Sequence, residues 1–247
     1  MQRQRKAKEQ EQANIGMQNG AIHFIESCSM ATKPTRGKSV APWLVGAAAV
    51  GISFFFDDAL IAFMKKHSTP AIVEFGRLGS HYGQWNWLMV PCLIAAIVAW
   101  LRRDAGCLRV ICIMVIACSL AGTAANVVRV AAGRTRPSAP PAVAPGWYGP
   151  RANGTWVGFN SNYEAFPSAH TAVSMALVAP LLLMRRRLGF LLLPLPLVIG
   201  AARICVNAHH LSDVTSGAFL GFAVAAWFQW EIAPRITRWR IFETNPT

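Results

Sequence analysis

Six runs of the chain contain no Asp, Glu, Lys or Arg: residues 39–56, 78–101, 110–128, 171–184, 188–202 and 214–230. A helix that crosses a bilayer needs about 20 apolar residues, with a range of roughly 17–25. The first three runs meet that length, and the sixth just does. The fourth and fifth reach it only by taking in neighbouring polar residues, His170 in one and Arg203 in the other. Ionisable groups at such depths are costly, which makes them functional candidates by default. With 53% hydrophobic and 14% charged residues in 247, the chain departs from soluble composition. The expected fold is all-α: a six-transmembrane-helix bundle.

The net charge of +13 raises the question of a nucleic-acid partner. Its distribution answers it. Arg3, Arg5, Lys6, Lys8, Lys33, Arg36 and Lys38 precede the first run. Arg102, Arg103 and Arg109 separate the second from the third, Arg185–Arg187 the fourth from the fifth, and Arg235, Arg238 and Arg240 follow the sixth. Sixteen of the 24 Lys and Arg residues thus fall on one side of an alternating six-span chain. The positive-inside rule makes that side cytoplasmic, with both termini there. No nucleic-acid partner is expected; membrane lipids are. Residues 1–38 read as a mobile basic tail without the pattern of a signal peptide, 39–232 as the membrane domain and 233–247 as a cytoplasmic C-terminal tail. The six cysteines show no metal-ligand spacing and read as packing residues.

The opposite face then carries three connections: residues 57–77, with a turn-like "RLGSHYGQ" after it, 129–170, and 203–213. Two of them hold nearly all the chemistry. "RVAAGRTRP" brings Arg129, Arg134 and Arg136; "FPSAH" brings Ser168 and His170; "RICVNAHHLSD" brings Arg203, His209, His210 and Asp213. Arginine forks match phosphate oxygens. Pro167 suits the first position of a helix, which would leave the N–H groups of Ser168, Ala169 and His170 free at a positive helix end, a ready anion site. His209 and Asp213 are four apart and share a helical face if the helix starts early enough; in a regular helix His210 is rotated about 100° away. Asp213 as a helix cap is the alternative. A metal held by His170, His209, His210 and Asp213 is disfavoured by the surrounding arginines, which cannot ligate and repel cations.

These residues resemble the type 2 phosphatidic acid phosphatase superfamily of integral-membrane lipid phosphatases. Its signature runs K-x6-R-P, P-S-G-H and S-R-x5-H-x3-D. Here the parts read Arg129-x6-Arg136-Pro137, Pro167-Ser168-Ala169-His170 and Ala202-Arg203-x5-His209-x3-Asp213. Order and internal spacing match; Arg129 replaces lysine, Ala169 glycine and Ala202 serine. The resemblance implies a phosphatase whose catalytic residues are His209, the nucleophile that forms a phosphohistidine, Asp213, which orients the ring, and His170, the general acid. It implies that Arg129, Arg136, Ser168, Arg203 and the Ala169 N–H hold the phosphoryl oxygens, without a metal or other cofactor. The implied substrate is a lipid phosphate or diphosphate of phosphatidic acid, phosphatidylglycerol phosphate, undecaprenyl diphosphate or lipid A type. The implied place is a bacterial inner membrane, with the site at the non-cytoplasmic helix ends, facing the periplasm. A phosphotransferase with the same triad, or a non-catalytic anion-binding membrane protein, are the alternatives.

Between Pro137 and Pro167 lies a connection long for a structureless loop, with Trp147, Tyr148, Trp156, Phe159 and Tyr163. It is expected either to influence substrate choice beside the site or to anchor in the headgroup layer. In a cysteine-free background, a cysteine in residues 138–163 should react with a membrane-impermeant thiol reagent in intact spheroplasts. One near Arg186 should react only after lysis, and the reverse pattern would refute the orientation.

Overall fold

The computed structural model describes residues 40–236, so the tail at 1–38 and most of the C-terminal tail lie outside the described residues. The chain folds into helices joined by short breaks: α1 (Ala41–Phe54), α2 (Asp57–His67), α3 (Pro70–Tyr82), α4 (Trp85–Leu101) and α5 (Ala105–Ala132). A long connection follows, then α6 (Ala169–Met184), α7 (Arg186–Leu192), α8 (Pro194–Cys205) and α9 (Leu211–Trp227). The last continues through a π-helical turn (Phe228–Ile232) into α10 (Ala233–Ile236).

Three stretches among the described residues are long and apolar enough to cross a membrane: Ala105–Ala132, Arg186–Cys205 and Leu211–Arg235. Two bent pairs raise that to five, α1 with α2 at 60° and α3 with α4 at 56°. At 16 residues, α6 falls short on length. Its position explains why this is tolerable. Thr171–Ser174 and Ala176–Leu181 are all buried, so α6 is walled by other helices and has little lipid to match.

Local signals set the helix ends. Thr69 caps α3 by accepting the Ile72 N–H at 3.3 Å, ahead of Pro70 at the first position. Asp104 accepts the Cys107 N–H at 2.8 Å to start α5, which stops at Gly133 with φ of 55°. The expectation of a turn at "RLGSHYGQ" does not hold: residues 77–82 are helical, and the chain breaks only at Gly83–Gln84. The glycines there serve packing. A Cβ at Gly79 would lie 2.4 Å from the Ala202 Cβ, so α3 and α8 meet only because Gly79 has no side chain.

The same device joins α6 to α9. A Cβ on Gly217 would sit 2.4 Å from the Ser168 carbonyl oxygen, and one on Gly221 2.2 Å from that of Ala172. Small residues at a helix interface let backbones approach in an apolar setting, where packing rather than water drives association. Alanines finish the seam: Ala117, Ala121, Ala176, Ala179 and Ala225 are fully buried in one cluster with Ile113 and Phe228. A second cluster packs Leu88, Cys92, Ile111, Cys118, Val173, Leu177 and Ile199 between α4, α5, α6 and α8. None of the five described cysteines is in a disulfide, and Cys92 and Cys118 serve this core. Gly221→Ala should lower the thermal midpoint in detergent by the equivalent of about 1–3 kcal/mol, because two backbones must part. Gly51→Ala, whose Cβ meets nothing within 4 Å, should leave it unchanged; equal effects would refute the close-packing reading.

Candidate active site

The motif residues come from four helix ends. Arg129 lies in the last turn of α5, whose left-handed Gly133 turns the chain into Arg134 and Arg136. Ser168 and His170 open α6, Arg203 closes α8, and His209, His210 and Asp213 begin α9. Their charges meet: Arg203, His209, Arg129 and Arg136 all lie within electrostatic reach of His170. The long connection is ordered against this group. Thr135 N–H bonds the Gly146 carbonyl, Arg136 N–H that of Asn162, and Ala165 N–H that of Arg134, at 2.9–3.0 Å. It carries a small hairpin, β1 (Arg151–Ala152) with β2 (Thr155–Trp156), turned at Asn153–Gly154 with positive φ at both.

His209 is 1% exposed. Its Nδ1 lies 2.7 Å from the Ala165 carbonyl oxygen, which can only accept, so Nδ1 carries the proton. Nε2 therefore keeps its lone pair, and it is buried with no protein partner. Arg136 Nε and Arg203 Nε are also buried and unpartnered, and such atoms call for explanation in a native protein. Burial pushes the His209 ring down to about 4, against the opposing pull of Asp213.

Asp213 corrects the expectation drawn from spacing. Helix α9 starts at Leu211, too late to put His209 on its face, and Asp213 Oδ2 stands 3.7 Å from His209 Nδ1, beyond hydrogen-bond distance. His210 is the residue Asp213 binds directly: its backbone N–H and Nδ1 lie 2.7 and 2.9 Å from Oδ2. His210 is the extended N-cap, with ψ of 165°, so regular-helix geometry never applied to it. The cap alternative for Asp213 is met in a modified form, since His210 is the N-cap and Asp213 closes the capping box from the third helical position. The Ala165 carbonyl takes the tautomer-fixing role expected of its carboxylate.

The anion-site expectation also shifts. Pro167 precedes the N-cap Ser168 instead of opening the helix, and the Ser168 N–H bonds the Asp213 carbonyl at 2.9 Å. Ala169 and His170 retain first-turn N–H groups without intrahelical acceptors. The Ser168 hydroxyl accepts from Thr171 at 3.0 Å. Arg129 is braced from both sides, Nε on the Pro167 carbonyl at 3.1 Å and Nη1 on Asn126 at 3.4 Å. Arg136 faces Glu164 at 3.9 Å. Beside His170 a cavity of about 390 Å³ opens between α4, α5 and α6, with Gln84, Trp85, Ser119, Thr123 and Asn126 on its walls. Among the described residues no group of three or more His, Cys, Asp or Glu side chains is placed to hold a metal.

Of two further buried residues, Arg134 was named in the sequence but given no role by the motif, and Asp57 was not singled out at all. Arg134 bridges two carboxylates, Nη1 to Asp213 at 2.6 Å and Nη2 to Asp57 at 2.8 Å. Trp147 and Phe54 cover its guanidinium, with ring centroids 4.7 and 5.4 Å away. The aromatics of the long connection thus divide. Trp147, though half exposed, packs on Arg134 and Phe166, Tyr148 packs on Tyr163, and the exposed Trp156 and Phe159 pack only on each other among the described rings.

The family model of the PAP2 superfamily matches residues 108–236. Among solved structures, the chain is similar to that described as the first transmembrane PAP2 type phosphatidylglycerolphosphate phosphatase from Bacillus subtilis. The similarity has 17% identity and a TM-score of 0.51, and covers 84% of this chain and 99% of that one. No curated protein matches the chain.

An unfolded chain protonates His209 below about pH 6.5, whereas the folded ring stays neutral to about 4. The folded state binds fewer protons in that window, so stability falls as pH drops through it. His209→Gln should remove this component: the wild type should lose more thermal stability than the variant between about pH 7 and 4.5. Parallel losses would show that His209 is not held neutral.

Proposed function

Because the chain belongs to the PAP2 superfamily, we propose that it is a membrane-embedded phosphatase acting on a lipid phosphate or diphosphate through a phosphohistidine. The observation that carries this reading is the His209 ring: Nδ1–H tied to the Ala165 carbonyl at 2.7 Å, Nε2 bare and buried. A neutral imidazole so oriented is a nucleophile, not a proton donor.

Nε2 attacks phosphorus and forms the P–N bond as the bond to the lipid oxygen breaks; that oxygen takes its proton from His170. Water then attacks phosphorus, His170 accepts its proton, and the P–N electrons return to Nε2, releasing phosphate. The ring is cationic while phosphorylated, and Asp213, 3.7 Å away, compensates that charge. Arg129, Arg136, Arg203, Ser168 and the Ala169 N–H balance the phosphoryl oxygens, whose charge grows in transfer. No step calls for a metal or other cofactor. The leaving lipid extends from His170 into the cavity between α4 and α5.

The six apolar segments cross the membrane with α6 enclosed by the others, both termini cytoplasmic and the site periplasmic. Within the bacterial inner membrane this fits phosphatidic acid, phosphatidylglycerol phosphate, undecaprenyl diphosphate or a lipid A phosphate as substrate.

Purified protein in detergent should release phosphate from at least one of these four, in excess EDTA, and vanadate should block it. His209→Ala should abolish release. His210→Ala should retain activity within about tenfold of wild type, since the backbone N–H at position 210 still donates to Asp213 Oδ2 and the substitution leaves the nucleophile in place. Restoration of EDTA-treated protein by a divalent cation, or equal loss in both variants at equal folded yield, would overturn the assignment.

A further inference from the structure

Asp57 and Arg134 are buried charges that the mechanism above does not use. Asp57 begins α2, just past the 60° bend that ends α1, and is 4% exposed; Arg134 is 8% exposed. Arg134 Nη1 donates to Asp213 Oδ1 and to the Ser212 hydroxyl, both at 2.6 Å. Its Nη2 donates to Asp57 Oδ2 at 2.8 Å. Asp57 also accepts from the Ser212 N–H, at 2.9 Å through Oδ1, and from the Ser212 hydroxyl through Oδ2. The two side chains thus grip both residues that lead α9 toward the histidines.

This grip has a direction. Asp213 Oδ1 is occupied by Arg134, which leaves Oδ2 to His210 and to the gap facing His209. Rotating the carboxylate would break the Arg134 bond together with both bonds from His210. Two carboxylates on one guanidinium also leave the cluster with a net negative charge, a field that favours a positive ring on His209. We propose that Arg134 and Asp57 are positioning residues for phosphoryl transfer, holding Asp213 Oδ2 toward His209 so that the phosphorylated ring is stabilised as it forms. This rests on His209 being the nucleophile. Lysine lacks the planar fork needed to serve two carboxylates at once. Asparagine at position 57 presents one acceptor where Arg134 and Ser212 now share two.

The test compares the full chain in detergent as wild type, Arg134→Lys, Asp57→Asn and the double variant. Its first arm reads the ring-nitrogen resonances of His209 and His210 by NMR with 15N-histidine, assigned with His209→Gln and His210→Gln. It needs no turnover, so it decides the positioning even if no lipid phosphate proves to be a substrate, which would sink the functional reading alone. Both single variants should shift the His209 and His210 signals. Its second arm measures kcat and KM per folded molecule with the lipid phosphate that wild type hydrolyses fastest. Small misplacements near reacting groups cost up to about 100-fold, so kcat should fall about 10- to 100-fold with KM within about threefold. The double variant should be no worse than the worse single, as members of one network are not additive. Unchanged ring signals with an unchanged kcat per folded molecule, whatever happens to the thermal midpoint, would make the pair a structural tie and overturn the proposal. A raised KM at unchanged kcat would overturn it in favour of direct phosphate contact.

Discussion

Placing Arg134 between two buried carboxylates constrains most of the site's architecture. An unpaired charge in such surroundings costs several kcal/mol, by order of magnitude, and even a paired one must have its remaining donors satisfied. Arg134 meets that demand by drawing together the start of α2 through Asp57, the start of α9 through Ser212 and Asp213, and the segment after α5 from which it projects. Three helix ends distant in sequence are thereby fixed to one point. Trp147 lies over the guanidinium face, so the connection between α5 and α6 is tied to the same point.

Close helix packing supplies the rest. Gly217 and Gly221 let α9 lie against the first turns of α6, where the Ser168 N–H reaches the Asp213 carbonyl. That backbone bond couples the helix bearing His170 to the helix bearing Asp213. Ala165, on the segment leading into α6, then sits where its carbonyl meets the His209 ring. The His209 tautomer is thus set by a backbone group, which no side-chain substitution removes directly.

Much of the candidate site was legible because the chemistry imposes spacing. Arg203, His209 and Asp213 lie within eleven residues, so their proximity hardly depends on the fold. The arginines beside Pro137 and the Ser168–His170 stretch suggested an anion site by residue type alone, and the fold brings them to one end of the helices. The partner of Asp213 was not legible. Whether His209 or His210 meets that carboxylate depends on where α9 begins, and a cap at His210 instead of a helical His209 exchanges the two. Asp57 was invisible for another reason: its partners lie 77 and 155 residues away, and an aspartate after an apolar run reads as an ordinary helix end.

Apolar runs and the position of positive charge determined, before any fold was in view, that this chain is helical and membrane-bound with its polar residues gathered at helix ends. Those properties follow from the cost of exposing charge or unpaired backbone to hydrocarbon, which each segment meets by itself. Only the tertiary structure decided that α1–α2 and α3–α4 are bent pairs, that α6 is enclosed, and that Arg134 joins Asp57 to Asp213. It also decided that a carbonyl orients His209. Each of these depends on which surfaces pack against which, and a glycine, an aspartate or a carbonyl acquires its role there only from a neighbour far along the chain.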